Sequence, residues 1–319
     1  MMWGALIVAA GRGVRLGRPK QFVELAGLPL VGWSLRTFGA MPEVAEIVIA
    51  TEPEWILPMQ SLAQKVAPHH AVAVVEGGAT RQQSVRNALQ ALSARCNAVF
   101  VHDGARPLVR ANDVREGMAL VAKGRSAVLA APVIDTIKRI DPATMTVRET
   151  LARGELWAAQ TPQFALRRDL ARAHANAQKH GIEATDDVAL LEMLGIEVTV
   201  VPATSENFKV THPQDVARAE TLLRERLEHA PVEEEVLFVE VFSDEALVDA
   251  IERELTLRGA RIDGVERDLP QGVAVRAFVS AERLRGFAAR FEAFADGSAT
   301  FTTRFSHYTG RDENASVPS

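Results

Sequence analysis

The chain of 319 residues is poor in cysteine and has no strong excess of basic residues. A single cysteine, Cys96, excludes an intrachain disulfide, and its position in an apolar run predicts a buried thiol rather than a nucleophile. The net charge of −5 argues against a surface that coats nucleic acid but still allows a local basic pocket. The eight histidines lack metal-ligand spacing, so the sequence predicts no zinc site.

Long apolar segments are also missing. No run reaches the roughly 20 apolar residues that a membrane-spanning helix requires. The apolar start of the chain has no basic segment before it and is interrupted by a glycine loop, so we expect no signal sequence and a cytoplasmic protein. The length exceeds one typical domain of roughly 100–200 residues, which predicts two domains.

Strand-like apolar runs alternate with amphipathic, helix-like runs up to about residue 228. Most of these runs are rich in valine and isoleucine and apolar on both faces, as in a parallel sheet covered by helices on each side. The alternation predicts a doubly wound α/β domain with a mostly parallel sheet over residues 1–228. The predicted strands are Ala5–Ala10, Glu46–Thr51, Ala71–Glu76, Ala98–Asp103, Ser126–Val133 and Glu197–Pro202.

Three further segments depart from this alternation. Thr136–Ile140 and Met145–Thr150 alternate with period two around a turn, which predicts a β-hairpin that projects as an arm over about residues 135–157. The acidic stretch 229–235 predicts a linker. Residues 236–308 have the order strand, helix, strand, strand, helix, strand, as in the split βαβ of ferredoxin-like domains, and we expect residues 309–319 to be a disordered tail.

The loop from Gly11 to Lys20 follows the first predicted strand directly. It fits neither common phosphate template, because Leu16 stands where G-x-G-x-x-G requires its third glycine and no Lys-Ser/Thr pair follows the second glycine. The loop nevertheless offers backbone N–H groups beside Arg15 and Lys20, at the strand end where open α/β sheets bind ligands. A tight turn with two solvated basic residues is the alternative.

A second glycine pair, Gly77 and Gly78, follows another predicted strand and precedes Arg81 and Ser84. Glycines at a strand end allow a flat base to approach the backbone. A helix N-terminus capped by Thr80 explains the same segment without a ligand, and the two interpretations are compatible.

Asp103 and Arg106 lie at the end of a third predicted strand, which is buried. An acid at this position can hold Mg²⁺, and an arginine beside it can bind a phosphate. A local ion pair between the two residues is the alternative.

Seven motifs follow one another along the chain: AAGRGVRLG with Pro19-Lys20-Gln21, GGATRQQSV, VHDGARPL, APVIDTIK, LWAAQTPQF, TDDVALLE and NFKVTHPQDVARAE. In this order they resemble the motifs of the 2-C-methyl-D-erythritol 4-phosphate cytidylyltransferases of the non-mevalonate isoprenoid pathway, over about residues 4–227. One departure is that only two residues separate Leu16 from Pro19, about two fewer than is common in that family.

The resemblance implies a Rossmann-like nucleotidyltransferase that transfers CMP from CTP to methylerythritol 4-phosphate and releases pyrophosphate. It implies a homodimer paired through the arm, and Mg²⁺ or another divalent cation held by Asp103. Arg15, Lys20 and Asp103 are implied to be catalytic. The residues implied to surround CTP are Ala9, Ala10, Gly11, Gly13, Gly77, Gly78, Arg81 and Ser84, and those implied at the acceptor are Arg106, Thr136, Lys209 and, from the neighbouring subunit, Arg153.

The segment Thr185-Asp186-Asp187 also matches a motif of that family. A helix N-cap with acidic residues in the first turn explains it fully, so the sequence assigns it no site residue.

Residues 236–308 resemble the C-terminal ferredoxin-like domain of elongation factor G, most specifically in the segment ATFTTRFSHY. In that factor the domain sits on the ribosome, but a fold does not carry a function with it. A structural appendage is therefore favoured over contact with the ribosome or nucleic acid. The arginines of this region are interspersed with acids: Arg253, Arg258, Arg261, Arg267 and Arg276.

The sequence leaves two alternative functions open. The acceptor of a cytidylyltransferase could be another polyol phosphate, such as ribitol 5-phosphate. The chain could instead be a nucleotide-binding regulator that contacts the ribosome through its C-terminal domain. The presence of Arg15, Lys20 and Asp103 together argues against a regulator, because binding alone does not require all three.

Overall fold

The computed structural model describes residues 1–11, 20–229, 233–270 and 272–310. The chain divides into two compact units, Met1–Glu225 and a second that starts at Arg226. A strand begins at Glu233, inside the segment 229–235 that the sequence analysis assigned to a linker. The strand that closes the second unit extends to Gly310, so residues 309 and 310 are in a strand rather than a tail. The rest of the predicted tail lies outside the described residues.

The first unit contains a seven-stranded sheet among the described residues. Its strands are β1 (Trp3–Val8), β4 (Val44–Thr51), β5 (Ala71–Glu76), β6 (Ala98–Asp103), β7 (Ser126–Pro132), β10 (Trp157–Leu166) and β11 (Val198–Pro202), and a short hairpin pairs β2 (Glu24–Leu25) with β3 (Leu28–Pro29). The strand order in the sheet is β11-β7-β10-β6-β1-β4-β5. Neighbours are parallel except β10, which runs antiparallel to both β6 and β7. The doubly wound, mostly parallel sheet predicted from the sequence is thus confirmed.

Helices cover both faces of this sheet, as the two-sided apolar strands require. The helices of the first unit are α1 (Leu30–Gly39), α2 (Ile56–Val66), α3 (Arg81–Ala91), α4 (Ala111–Ala122), α5 (Arg167–His180), α6 (Asp187–Glu192) and α7 (Pro213–His229), the last of which continues past the unit boundary. On β1, Ala5 and Ile7 pack with helices α1, α2 and α4, while Leu6 packs on the opposite side with α3, α5 and α6.

Strand β10 is the element of this sheet that the sequence analysis did not predict. It carries Pro162 and three buried polar side chains, Gln160, Thr161 and Gln163, although it lies between two other strands. Proline and buried polar residues are atypical of a central strand. Gln160 and Gln163 are accommodated because they hydrogen-bond to neighbouring segments: Gln160 Nε2 donates to the Thr204 carbonyl, and Gln163 Nε2 donates to the Asp186 carboxylate.

The predicted hairpin is present as β8 (Lys138–Ile140) and β9 (Val147–Thr150), which pair with each other rather than with the seven-stranded sheet. Both strands are exposed along their whole length. The apolar side chains that the arm region exposes include Ile134, Met145, Val147 and Trp157.

The second unit is built on a four-stranded antiparallel sheet. Its elements are β12 (Glu233–Ser243), α8 (Val248–Leu257), β13 (Arg261–Leu269), β14 (Gly272–Ser280), α9 (Ala281–Leu284), α10 (Phe287–Ala295) and β15 (Ala299–Gly310). The strand order is β13-β14-β12-β15, which is the split βαβ order that the sequence predicts. One sheet face packs on the helices, with Val239 and Val275 on the sheet side and Phe291 of α10 on the helix side.

On β14, Arg276 has acidic partners on both sides. Its Nε lies 2.6 Å from the Glu240 carboxylate, and its Nη1 lies 2.7 Å from that of Glu266. Two carboxylates thus offset the charge of Arg276.

Candidate active site

The main cleft of the first unit lies where the strand order reverses. From β1 the chain builds the sheet toward β4 and β5 and then returns to place β6 on the other side of β1. Open α/β sheets bind ligands outside the carboxyl ends of strands at such a point. A cleft of about 860 Å³ opens there, and its lining includes Ala9, Ala10, Gly11, Lys20, Gly77, Gly78, Arg81, Ser84, Asp103 and Lys209.

Ten predicted site residues therefore come together, although they are scattered from Ala9 to Lys209 along the chain. Gly13 and Arg15 lie outside the described residues, as does most of the loop between Gly11 and Lys20.

The glycine pair after β5 allows two loops to approach each other closely. A Cβ atom on Gly77 would lie 2.4 Å from the Cβ of Ala10, so a side chain at Gly77 would force these loops apart. The backbone N–H of Gly78 donates to Ser84 Oγ at 3.0 Å. Thr80 caps α3 by accepting from the Gln83 N–H at 3.1 Å. The interpretation as a helix N-terminus capped by Thr80 is thus confirmed, and the approach of a flat base to this segment stays a prediction.

Asp103, at the end of β6, is the centre of a charged cluster. Its Oδ1 accepts from Arg81 Nε at 3.0 Å, and its Oδ2 accepts from Lys209 Nζ at 2.8 Å. Arg106 Nε lies farther away, at 3.9 Å. Burial acts to raise the pKa of the Asp103 carboxyl, but the charges of Arg81 and Lys209 outweigh it and hold that pKa well below its usual range. The carboxylate is therefore ionised at neutral pH.

Arg106 connects the cluster to the segment after β11. Its Nη1 donates to the Asn207 carbonyl at 2.7 Å, and the amide of Asn207 donates in turn to Gln160 Oε1 at 2.9 Å. The Nε of Arg106 is buried and has no hydrogen-bond partner among the described residues. Arg106 thus borders the Asp103 cluster but, unlike Asp103 and Lys209, is not part of the cleft lining, so its phosphate-binding role stays a prediction.

A buried histidine fixes the backbone beneath this cluster. His102 contacts Ser34 Oγ at 3.0 Å through Nε2 and Thr161 Oγ1 at 3.2 Å through Nδ1. Thr161 Oγ1 also accepts from the backbone N–H of Asp103 at 3.0 Å. Burial lowers the pKa of His102 to about 3, so the imidazole is neutral and serves as a packing and hydrogen-bonding group.

Acidic side chains line the cleft as well. Glu52 follows β4, and Glu76 ends β5. The cationic side chains Arg81, Arg106 and Lys209 are instead gathered around Asp103 at the end of β6. Cationic side chains that could bind an anionic ligand therefore lie at the β6 side of the cleft and, with Lys20, beside the loop that follows β1.

Thr136 and Arg153 lie outside the cleft lining of their own chain. Both residues are exposed, next to the strands of the arm. Arg153 Nη1 donates to the Ile134 carbonyl at 2.8 Å. The structure therefore does not bring Thr136 or Arg153 together with the other predicted site residues in the cleft of their own chain.

Asp187 contacts this site, although the sequence pattern alone does not indicate it. Asp186 caps α6 as predicted, accepting from the Ala189 N–H at 3.0 Å. Asp187, in contrast, is 2% exposed and accepts from Arg81 Nη1 at 2.7 Å. The motif alone could not distinguish the two acids, because they are adjacent and the distinction depends on which one faces Arg81.

The donor set at Asp103 suits a divalent cation that is bound mainly by substrate. Within the described residues there is no cluster of three or more His, Cys, Asp or Glu side chains that could hold a metal ion. Mg²⁺ is commonly bound through one or two carboxylates together with substrate phosphates and water. A single ionised carboxylate at the end of β6 fits that pattern.

Among the helices that the structure describes, none has the length and apolar character required to span a membrane.

Residues 4–225 match the family described as 2-C-methyl-D-erythritol 4-phosphate cytidylyltransferase. Proteins of that name from Halalkalibacterium halodurans and Gloeobacter violaceus are each 40% identical over 228 residues, which are 71% of this chain and 99% and 98% of those proteins. The crystal structure of the Thermus thermophilus protein of that name aligns with a TM-score of 0.58 and 33% identity, over 69% of this chain and 98% of that one. The family match ends before the second unit, whose resemblance to elongation factor G stays a prediction.

Proposed function

Because the chain belongs to the 2-C-methyl-D-erythritol 4-phosphate cytidylyltransferase family, we propose that it transfers CMP from CTP to methylerythritol 4-phosphate and releases pyrophosphate. The observation that carries this proposal is the cationic cluster around Asp103, located beside two glycine loops at the switch point of the sheet. Such a site combines close backbone approach to a nucleotide with positive charge for its phosphates.

The nucleophile in this reaction needs no general base. A phosphate monoester has a second pKa near about 6, so the acceptor phosphate is largely dianionic at neutral pH. One of its oxygens attacks the α-phosphorus of CTP, and the bond from that phosphorus to the bridging oxygen of the pyrophosphate breaks. The electron pair leaves with pyrophosphate. The main obstacles are repulsion between two polyanions and the charge that accumulates on the leaving group.

The positive charge of the cluster around Asp103 offsets both the repulsion between the substrates and the charge on the leaving group. Three cationic side chains, Arg81, Arg106 and Lys209, surround two carboxylates, Asp103 and Asp187, which leaves one positive charge in excess. We place Arg106 and Lys209 at the acceptor phosphate and Lys20, with Arg15 from outside the described residues, at the triphosphate. Charges fixed in advance lower the barrier because no reorganisation is needed during the reaction.

We assign Asp103 as the protein ligand of Mg²⁺ or another divalent cation. When bound, such an ion neutralises phosphate charge and orients the reacting groups. The carboxylate of Asp103 is ionised and its partner Lys209 is 41% exposed, so Lys209 can turn from Asp103 toward a substrate phosphate.

We further propose a homodimer, paired through the arm, in which Arg153 completes the partner's acceptor site. The exposed apolar side chains Ile134, Met145 and Val147 support an arm that is covered by another subunit. Arg153 and Thr136 belong to the same exposed region, away from the cleft of their own chain.

Mixing two impaired variants tests this shared site. Arg153→Ala and Lys209→Ala are each expected to lower kcat/KM at least about tenfold, the scale for one charged hydrogen bond. After subunit exchange, half of the dimers are mixed and each mixed dimer has one intact site, so roughly a quarter of the wild-type activity should return. Activity that stays at the level of the separate variants would rule out the shared site.

Pyrophosphate release tests the reaction itself. The purified chain is incubated with Mg²⁺ and CTP, and methylerythritol 4-phosphate or ribitol 5-phosphate is added in parallel. We expect release with methylerythritol 4-phosphate only, because the family is defined by that acceptor. Release with ribitol 5-phosphate alone would identify the other acceptor, and no release with either, in protein that binds CTP, would contradict the proposal.

A further inference from the structure

Four charged or titratable side chains form a continuous series from the cleft into the protein. Asp103 binds Arg81 Nε at 3.0 Å, Arg81 Nη1 binds Asp187 Oδ2 at 2.7 Å, and the other oxygen of Asp187 contacts His174 Nε2 at 3.0 Å. Arg81 lines the cleft, as Asp103 does, and it is held by a different carboxylate on each side. Only Asp103 of these two carboxylates was predicted from the sequence.

Asp187 is itself held by side chains from two other elements, β10 and α5. Its backbone N–H donates to Gln163 Oε1 of β10 at 2.9 Å, and the Val188 N–H donates to the same oxygen at 3.2 Å. His174 comes from α5 and is 2% exposed. These contacts fix both the main chain and the carboxylate of Asp187. A carboxylate that is held so firmly can define the position of the arginine bound to it.

The energetic balance favours a fixed, charged Arg81. Burial alone would raise the pKa of the Asp187 carboxyl, but the charge of Arg81 and the hydrogen bond from His174 keep that pKa below its ordinary value. Arg81 loses solvation through burial, yet Asp187 and Asp103 raise its pKa above the usual value. The bridge therefore persists as an ion pair throughout the neutral pH range.

The shape of the guanidinium explains why two carboxylates are used. Arginine presents its N–H groups in a planar fork, so bonds from Nε and Nη1 to different carboxylates fix both its position and its plane. The third nitrogen, Nη2, takes part in neither of these bonds, and because Arg81 lines the cleft, Nη2 can donate to a cleft ligand. With Asp103 alone, Arg81 could rotate about a single contact.

We propose that Asp187 is a positioning residue for the nucleotide site: with Asp103 it clamps the Arg81 guanidinium, and it thereby sets the orientation in which Arg81 meets CTP. This inference rests on the proposed function, since it assumes that CTP occupies the cleft. His174 and Gln163 act one step further away, by holding Asp187.

The test compares Asp187→Asn with Asp186→Asn. Asp186 is adjacent, caps the same helix and accepts from Gln163 Nε2 at 2.9 Å, but it does not bind Arg81. CTP affinity is measured by calorimetry without acceptor, and KM and kcat are measured by pyrophosphate release. Asp187→Asn is expected to raise both the Kd and the KM for CTP about tenfold, the effect of one lost orienting partner. We expect kcat to change less than threefold, and CTP binding by Asp186→Asn to stay within threefold of wild type.

Two Arg81 variants separate positioning from general stability. In an Arg81→Gln background, adding Asp187→Asn should raise the KM no further, because Asp187 acts through Arg81. Arg81→Lys keeps the charge but cannot span two carboxylates, so it should reproduce the tenfold rise even if Asp187→Asn fails to fold.

Several results would overturn the inference. Equal loss of CTP affinity in Asp186→Asn and Asp187→Asn would mean that Asp187 contributes only to the stability of α6. An unchanged KM for CTP in Arg81→Lys would mean that Arg81 does not have to bind both carboxylates. A wild-type chain that binds CTP and releases pyrophosphate while Asp187→Asn behaves normally would refute the positioning role alone. A wild-type chain that neither binds CTP nor releases pyrophosphate would refute both this role and the proposed function.

Discussion

Asp103→Asn is expected to lower kcat about 10³-fold, which corresponds to about 4 kcal/mol of transition-state stabilisation. The substitution preserves the shape of the side chain but removes the charge that orders Arg81 and Lys209, at 3.0 and 2.8 Å. It also removes the carboxylate that we assign to the divalent cation. Arg81, Lys209 and Arg106 would then repel one another with less compensation, and their positions relative to the phosphates would be lost. Steady-state pyrophosphate release measures the effect.

The same substitution should also change how the free energy of unfolding depends on pH. A carboxyl group whose pKa is lowered in the folded state stabilises the protein above its unfolded pKa, near about 3.9, and this contribution is lost as the pH falls toward the folded value. Asp103 has such a lowered pKa. Asp103→Asn should therefore unfold more easily at neutral pH and lose less additional stability below about pH 4 than the wild-type chain does.

A matched control for Asp103 is Asp169→Asn. Asp169 is in the first turn of α5 and pairs with Arg172 at 3.9 Å at the surface. We expect activity within twofold of wild type, because a surface pair contributes little. If Asp103→Asn keeps more than a tenth of the wild-type kcat while folded, Asp103 is not at the reacting phosphates.

Lys20→Ala is expected to lower kcat at least about 10²-fold, the scale for losing one preorganised charged donor. Lys20 begins a short 3₁₀ turn and lines the cleft. A Cβ atom on Gly11 would lie 3.9 Å from Lys20 Cε, so the side chain passes beside the loop that follows β1. From this position a lysine can neutralise charge on the leaving pyrophosphate, which develops mainly in the transition state. The loss should therefore appear in kcat more than in KM.

Lys123→Ala is the control for this lysine, because Lys123 is exposed at the C-terminal end of α4. It should remain within twofold of wild type. A decrease in kcat of less than threefold for folded Lys20→Ala would remove Lys20 from the chemistry and assign the leaving-group charge to other groups.

Much of the candidate site was predictable because its residues follow strands. Parallel strands place their carboxyl ends at one edge of a sheet, so loops after β1, β5 and β6 had to meet there. Gly11, Gly77 and Asp103 follow or end these strands and line one cleft. The short segments around them carry their own signals, including the Thr80 cap and the glycine pair.

Strand β10 was not predictable in the same way. Local preference argues against a central strand that contains Pro162, Gln160 and Gln163. The strand exists because these amides find partners on Asn207, Thr204 and Asp186, far away in the sequence. Tertiary hydrogen bonds thus outweigh local propensity, and they also place Gln163 where it holds α6.

By itself, the sequence determined the alternation of strands and helices, the loops that border the cleft and the family to which the first unit belongs. These properties are encoded in local patterns, in turn-forming glycines and in the order of motifs. Only the tertiary structure decided that Asp187 rather than Asp186 contacts Arg81, and that Thr136 and Arg153 lie away from the cleft of their own chain. The physical reason is that the direction of a side chain and its charged partners depend on packing between segments that are far apart in the chain.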